Sequence, residues 1–234
     1  FDLQQNLPPS IGLLEEACNL SRLQRLLIVS SGGTVYGPVD HLPIAEEAPL
    51  SPVSPYGITK MTIERYAMMF HRLYSLPVII VRPANAYGTG QKPFTGQGFI
   101  ATAMGHVLRG EEVIIFGENG TIRDYVHVKD IANGIVAALE KGACGVAYNI
   151  GSGVGRSNRQ VLDILEPLAL RKGYTIRIRT EPARRFDVPA NVLNFGRLLA
   201  CSGWLPHVSL EEGINEMWSE FYATQKTTSS AYKP

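Results

Sequence analysis

Cysteine is scarce. Cys18, Cys144 and Cys201 are the only three in 234 residues, they lie far apart, and none belongs to a CxxC pair. Such a set argues against a disulfide framework or structural zinc site, and no metal site is expected; reduced thiols fit better. An excess of one charge is lacking too. With 22 basic and 21 acidic side chains the net charge is +1, which gives none of the basic surface that attracts nucleic acid. No apolar run approaches the ~20 residues needed to cross a bilayer, and no basic-then-apolar leader opens the chain. Neither nucleic acid nor a membrane is expected as a partner, and the expected location is the cytoplasm. One further absence concerns phosphate binding. No G-x-x-G-x-x-G loop follows a strand, and Gly151-Ser-Gly-Val-Gly155 comes late, at the end of a strand. The chain opens at Phe1 without a methionine, in a helix-like stretch, so a preceding N-terminal part is expected.

What is present is apolar material, 45% of residues against 18% charged, enough for one large domain or two small ones. Residues 4–20 read as a helix, with Leu7, Ile11, Leu14 and Ala17 on one face. Leu26–Val29 is a continuous apolar run ending in Ser30-Ser31-Gly32-Gly33, the pattern of a strand buried on both faces. Ser54 as N-cap with Pro55 at the first helical position starts a helix expected to reach about His71, and Val78–Val81 is the next buried strand. Two strands around one such helix form a βαβ unit, hence a parallel, doubly wound sheet. Further on, a helix is expected at 98–109 and strands at Val113–Phe116 and Arg123–Val128. Helix 129–141 and strand 146–150 follow, then an amphipathic strand at Thr175–Arg179. Asn119-Gly120 is a turn signal, and Ser157/Gln160 and Ser209/Glu212 have capping-box spacing. The expected fold class is therefore α/β, a Rossmann-like doubly wound sheet with a smaller mixed α/β C-terminal domain. The expected divisions are 1–96, with some later segments returning to it, 97–223, and a flexible polar tail at 224–234.

Tyr56 and Lys60 stand four residues apart, on one face of a helix near its N-terminus. A phenol ionises near pH 10 and is a poor base at neutrality; a nearby ammonium, and a bound nicotinamide cation, would favour the phenolate. Tyr56 would then take a hydroxyl proton while hydride leaves the adjacent carbon. The spacing also arises by chance, and a surface lysine beside a packed tyrosine is its plain structural explanation. Context favours the chemistry, because the pair follows a strand whose carboxyl end, Ser30–Gly37, is where ligands bind in open α/β sheets.

Ser30–Gly37, Ser54–Lys60 and Arg82-Pro-Ala-Asn-Ala-Tyr-Gly88 occur in one order and spacing. Phe116-Gly117, Arg123–Val128, Asn149-Ile-Gly-Ser-Gly153 and Ala183–Pro189 continue it. In these motifs the sequence resembles the extended short-chain dehydrogenase/reductase family over nearly its whole length, and within it the UDP-glucose and UDP-N-acetylglucosamine 4-epimerases. The resemblance implies NAD as a retained cofactor and a UDP-sugar as substrate. It also implies proton removal from the sugar 4-hydroxyl by Tyr56, a 4-keto intermediate that turns over, and return of hydride to its other face.

Residue by residue, the resemblance places Arg123 and Arg184 on the diphosphate, Asp187 near the nucleotide ribose and Asn85 on the diphosphate-sugar. Ile115 and Phe116 border the uracil. Tyr56 and Lys60 reach the nicotinamide ribose, Pro83 and Ala84 pass near the nicotinamide, and Asn6 reaches the cofactor. His127 lies in a family motif but reads as structural. The family pattern places a Ser or Thr where this chain has Gly32. Thr34, sharing that face if the segment stays extended, is the expected catalytic hydroxyl, with Ser31 as the fallback. Asn191 falls where side-chain bulk admits or excludes a 2-N-acetyl group; it leaves both sugars open with a lean toward N-acetyl tolerance. A 4,6-dehydratase or a UDP-glucuronate decarboxylase shares the oxidation step, but the strand-end loop carries no carboxylate for dehydration. A non-catalytic sugar-nucleotide-binding relative is the remaining alternative. The family's first βαβ units, with the pyrophosphate loop, would lie before Phe1. Relatives dimerise through the helices corresponding to 4–20 and 56–71, so a homodimer is expected, with Met68, Met69 and Leu73 on the contributing faces.

Overall fold

The computed structural model describes residues 2–96, 98–184 and 187–230, with side chains described as far as 224. In chain order, the first elements are α1 (Asp2–Cys18), β1 (Leu26–Val29), α2 (Gly32–Val35), α3 (Pro55–Tyr74) and β2 (Val78–Pro83). β3 (Asn85–Tyr87), α4 (Phe99–Arg109), β4 (Glu112–Phe116), β5 (Ile122–His127), α5 (Val128–Lys141) and β6 (Ala147–Ile150) follow. The last are β7 (Gly155–Ser157), α6 (Asn158–Leu170), β8 (Arg177–Glu181), β9 (Ala190–Asn191), α7 (Gly196–Ser202) and α8 (Leu210–Ser230).

β1, β2 and β6 form a parallel sheet with β2 in the middle. Every residue of β2 is buried, and alternate side chains serve opposite layers. Val78 and Ile80 pack with Leu14, Ile63, Ala67 and Phe70 of α1 and α3. Ile79 and Val81 pack with Ile131 and Ala138 of α5, Leu198 of α7 and Trp204. A short apolar run thus specifies a strand covered by helices on both sides, which is the doubly wound arrangement. Each fully buried aliphatic side chain here contributes about 1.5–3 kcal/mol.

α3 begins as the sequence predicts. The Ser54 hydroxyl accepts from Gly57 N at 3.1 Å, with Pro55 in the first turn, but the helix runs past His71 to Tyr74. Both capping boxes form. Ser157 N donates to Gln160 Oε1 and Gln160 N to Ser157 Oγ, and Ser209 and Glu212 make the same exchange. A second apolar core joins Met104, Ile115, Leu162, Leu165, Ile214 and Trp218. It packs α4, α6 and α8 against β4, which pairs in parallel with β8.

Three expectations are corrected. Ser30–Gly37 does not stay extended, because Gly32–Val35 is a single helical turn. The strand expected at Thr175–Arg179 lies two residues later. α8 continues to Ser230, past the point where a flexible tail is expected; residues 231–234 lie outside the described ones.

Candidate active site

A cavity of about 520 Å³ opens at the carboxyl ends of β1 and β2. Ser30 and Ser31 reach it from just past β1, Pro83 from the end of β2 with Ala84 after it, Asn85 from the start of β3, and Arg123 and Tyr125 from β5. Tyr56 closes one side. The approach of α3 to α2 puts it there: a Cβ on Gly57 would lie 2.8 Å from the Thr34 carbonyl oxygen, so only glycine lets the two elements meet so closely.

The helical turn decides which hydroxyl meets the phenol. Both Ser31 and Thr34 line the cavity, three residues apart and hence on one side of a helical turn. Ser31 is the one that acts on Tyr56, lowering the pKa of its phenol, while Thr34 Oγ1 points back to the Ser31 carbonyl oxygen at 3.5 Å. The preference for Thr34 rested on an extended segment, and the geometry favours Ser31. Gly32 itself has no room for a side chain. A Cβ there would lie 2.4 Å from Leu193 Cδ1 and 2.8 Å from the Arg82 carbonyl oxygen.

Lys60 Nζ donates to the Val29 carbonyl oxygen at 3.1 Å and lies 5.7 Å from the centre of the Tyr56 ring. Burial lowers its pKa. The Tyr56 phenol is pushed upward, first by burial and then by the Asp2 carboxylate, with Ser31 opposing both. The lowering expected from Lys60 is not found in the chain alone.

Arg123 spans from the cavity wall to Val188. Its Nη1 donates to the carbonyl oxygens of Ile122 and Val188, both at 2.8 Å. Arg184 donates from Nε to Asp187 Oδ2 at 3.0 Å and lies over the Phe116 ring at 3.9 Å. These three form a cluster coupled to the cavity through Arg123, which feels the Asp187 charge; none of them lines the cavity itself.

Three further expected site residues, Asn6, Ile115 and Asn191, do not line this cavity. Asn6 does not line the cavity; it turns its amide back along α1 to the Asp2 carbonyl oxygen at 2.9 Å. The Ile115 side chain belongs to the second core, so only its backbone is left for a base. Asn191 is buried and donates to the Gly32 carbonyl oxygen at 3.1 Å; it braces the strand-end turn from behind and does not line the cavity.

Sequence reasoning passed over other residues. Ser30, Thr121, Gln91 and Tyr125 line the cavity. Asp124, fully buried, accepts from Ser152 N and Oγ at 2.8 and 2.6 Å, from Gly153 N at 3.2 Å and from Leu193 N at 3.1 Å. It holds two loops against the strand that carries Arg123. Its position next to Arg123 was the one available signal. Among the described residues no His, Cys, Asp and Glu cluster is placed to hold a metal ion, and no helix is long and apolar enough to cross a membrane.

A nucleotide cofactor fits this site at one end. Tyr56, Pro83 and Ala84 line the cavity, Lys60 stands beside it, and Ser30 Oγ is buried there without a hydrogen-bond partner among the described residues. These residues suit a nicotinamide ribose. The 234 residues contain no glycine-rich pyrophosphate loop after a strand.

Residues 4–151 match the NAD dependent epimerase/dehydratase family, and the chain belongs to that family of enzymes. It is 34% identical to a UDP-glucose 4-epimerase of Mycolicibacterium smegmatis, over 92% of this chain and 67% of that protein. It is 30% identical to a dTDP-glucose 4,6-dehydratase of Actinoplanes, over 87% of this chain and 62% of that protein. The fold superposes with a TM-score of 0.89 on the UDP-glucose 4-epimerase of Thermotoga maritima solved with UDP-glucose, at 35% identity, covering 95% of this chain and 71% of that one. The Thermus thermophilus UDP-glucose 4-epimerase solved with NAD gives 0.83 at 33% identity, covering 93% and 70%. The chain thus spans about two thirds of the length of the curated relatives it matches.

Proposed function

We propose that this chain carries the catalytic and nucleotide-sugar-binding part of an NAD-dependent 4-epimerase acting on a UDP-hexose, plain or N-acetylated. The observation that carries the reading is the Ser31–Tyr56 hydroxyl pair beside Lys60, on a polar cavity that also contains Arg123 and Asn85. The relatives named for UDP-glucose 4-epimerisation support it. So does the strand-end loop Ser30–Gly37, which offers no carboxylate for eliminating water.

When bound, NAD takes up a hydride from the sugar and returns it. The chain's own residues handle the proton and the grip. Tyr56 accepts the proton of the sugar 4-hydroxyl, and Ser31 orients that hydroxyl toward the phenol. Lys60, held to Val29, holds the nicotinamide ribose and keeps a positive charge beside the ring. Arg123 grips the diphosphate, with Arg184 beside it, Asp187 on the nucleotide ribose, Phe116 on the base, and Asn85 on the diphosphate-sugar. A firm hold on the diphosphate with a loose one on the hexose lets a 4-keto sugar present its other face.

Incubation of the full-length protein with NAD and each of UDP-glucose, UDP-galactose and their N-acetyl forms, followed by NMR of the products, tests this. Interconversion without net NADH is expected. Elimination of water, loss of CO2, or no reaction with any UDP-hexose rejects it. The same reading takes α1 and α3 as the faces of a homodimer, since Leu13, Met69 and Leu73 stand exposed on them. Leu73→Arg should then shift a dimeric species to monomer in sedimentation.

A further inference from the structure

Three side-chain oxygens on residues lining the Tyr56 cavity are shielded from water and lack a hydrogen-bond partner among the described residues: Ser30 Oγ, Asn85 Oδ1 and Gln91 Oε1. Buried polar atoms are ordinarily paired. Three orphans on one cavity wall mark a place where a ligand's hydrogen-bond donors complete the site.

Gln91 is the most constrained of them. It follows β3 in a segment bent by Gly88 and Gly90, both at positive φ. Its Nε2 faces the Ala86 carbonyl oxygen at 3.4 Å, and Gly98, at φ +85°, packs so close that a Cβ there would lie 2.5 Å from Nε2. With the amide nitrogen committed to Ala86, the carbonyl oxygen is the end left over. Asn85 also presents its carbonyl oxygen, with Gly33 packed against it. Among the described residues, Arg123 is the only charged side chain on the cavity wall.

Among the described residues the wall therefore offers one cation, several hydroxyls that can donate or accept, and, at Asn85 and Gln91, two unpaired carbonyl oxygens that can only accept. An anionic group belongs with the cation. Neutral hydroxyl donors belong with the acceptors, whereas a carboxylate placed there would face carbonyl oxygens and lose its hydration without compensation. We propose that Gln91 is a specificity-determining residue that accepts a hydrogen bond from the hexose hydroxyls and excludes sugars carrying a carboxylate at C6. This rests on the UDP-sugar reading of the cavity. It matters because relatives with this fold include UDP-glucuronic acid 4-epimerases.

The test is calorimetric titration of the full chain, with NAD present, against UDP, UDP-glucose and UDP-glucuronate, for the wild type, Gln91→Leu and Gln91→Lys. A site built to bond a hydroxyl rejects an analogue that cannot satisfy it, so the wild type should prefer UDP-glucose over UDP-glucuronate by about a hundredfold. Gln91→Leu should weaken UDP-glucose by about tenfold while leaving UDP unchanged. Gln91→Lys should tighten UDP-glucuronate by supplying a cation to the carboxylate. Circular dichroism melts of each variant establish that it is folded. If UDP-glucose binds but the wild type does not discriminate, or both variants keep the wild-type ratio, the Gln91 assignment falls and the nucleotide-sugar site stands. If neither UDP nor UDP-glucose binds, both fall.

Discussion

Ser31, just past β1, and Tyr56, in the first turn of α3, line one cavity, and Ser31 lowers the pKa of the Tyr56 phenol. Removing the Ser31 hydroxyl takes away the group that aligns substrate and phenol. Ser31→Ala should lower turnover of UDP-galactose by about tenfold to a hundredfold, toward the lower end of what positioned proton transfer contributes. Thr34→Val should cost distinctly less, since its hydroxyl faces a backbone carbonyl. A larger loss for Thr34→Val in a coupled assay would reverse the assignment. Restoring the family's hydroxyl at Gly32 should not help. Gly32→Ser forces a side chain against the Arg82 carbonyl oxygen and should cost about 1–3 kcal/mol of stability by overpacking.

Tyr56 has its pKa raised by burial and then by Asp2, so the phenol stays protonated beyond its ordinary value near 10. The difference in 295 nm absorbance between wild type and Tyr56→Phe isolates its titration. Its midpoint should lie above 10 without cofactor, fall when NAD is added, and fall in Asp2→Asn, which removes the second cause. A midpoint below 10 in the cofactor-free chain would mean that Lys60 dominates after all.

The elements that hold this site were legible where a pattern repeats within a few residues. The run Val78–Val81, the Ser54-Pro55 start and the two capping boxes each encode their structure locally, and each is found. The single turn at Gly32–Val35 and the short strands β3, β7 and β9 are too brief to show any period. The contacts that hold the site together are longer in reach. Asn191 touches Gly32 across 159 positions, and Asp124 gathers amides from Ser152, Gly153 and Leu193. Motif order placed Tyr56, Arg123 and Asn85 on one cavity, but it does not encode the direction of a side chain such as Asn6 or Asn191. That direction follows from which backbone carbonyl lies within reach, and only the folded chain supplies it.

Glu64 lies two helical turns beyond Tyr56 and ties α3 to β2. Its carboxylate takes two hydrogen bonds from Arg82 Nε and one from Nη2 at 2.6 Å, and both side chains are buried. Arg82 continues to Tyr36 Oη at 2.9 Å, which donates to Asn149 Oδ1 at 2.7 Å. Glu64→Gln leaves the guanidinium buried without its counter-charge and should destabilise by about 3–5 kcal/mol. Adding Arg82→Met to that variant should recover part of the loss, because the uncompensated charge is gone. Denaturant unfolding of the two variants checks this; a double variant less stable than Glu64→Gln would show that Arg82 serves Tyr36 more than it serves Glu64.

His127 gives the chain a pH dependence whose sign can be worked out. It is fully buried and caps α5, its Nδ1 accepting from Lys129 N at 3.3 Å, while Nε2 has no hydrogen-bond partner among the described residues. Burial lowers its pKa; Glu216 and Asp130 pull upward and Lys129 downward without reversing that. The unfolded chain takes up this proton near pH 6.5, whereas the folded chain resists until a lower pH. Above 6.5 both states are neutral, and His127 adds no pH dependence. As pH falls below 6.5 the unfolded state gains the proton first, so stability declines down to the folded pKa. His127→Asn keeps an N-cap oxygen and removes the titration. Melting temperatures measured between pH 7.5 and 5 should therefore fall less steeply in the variant than in the wild type. Parallel slopes would mean that the ring finds a charged partner in the fold, with Glu216 at 3.8 Å the candidate.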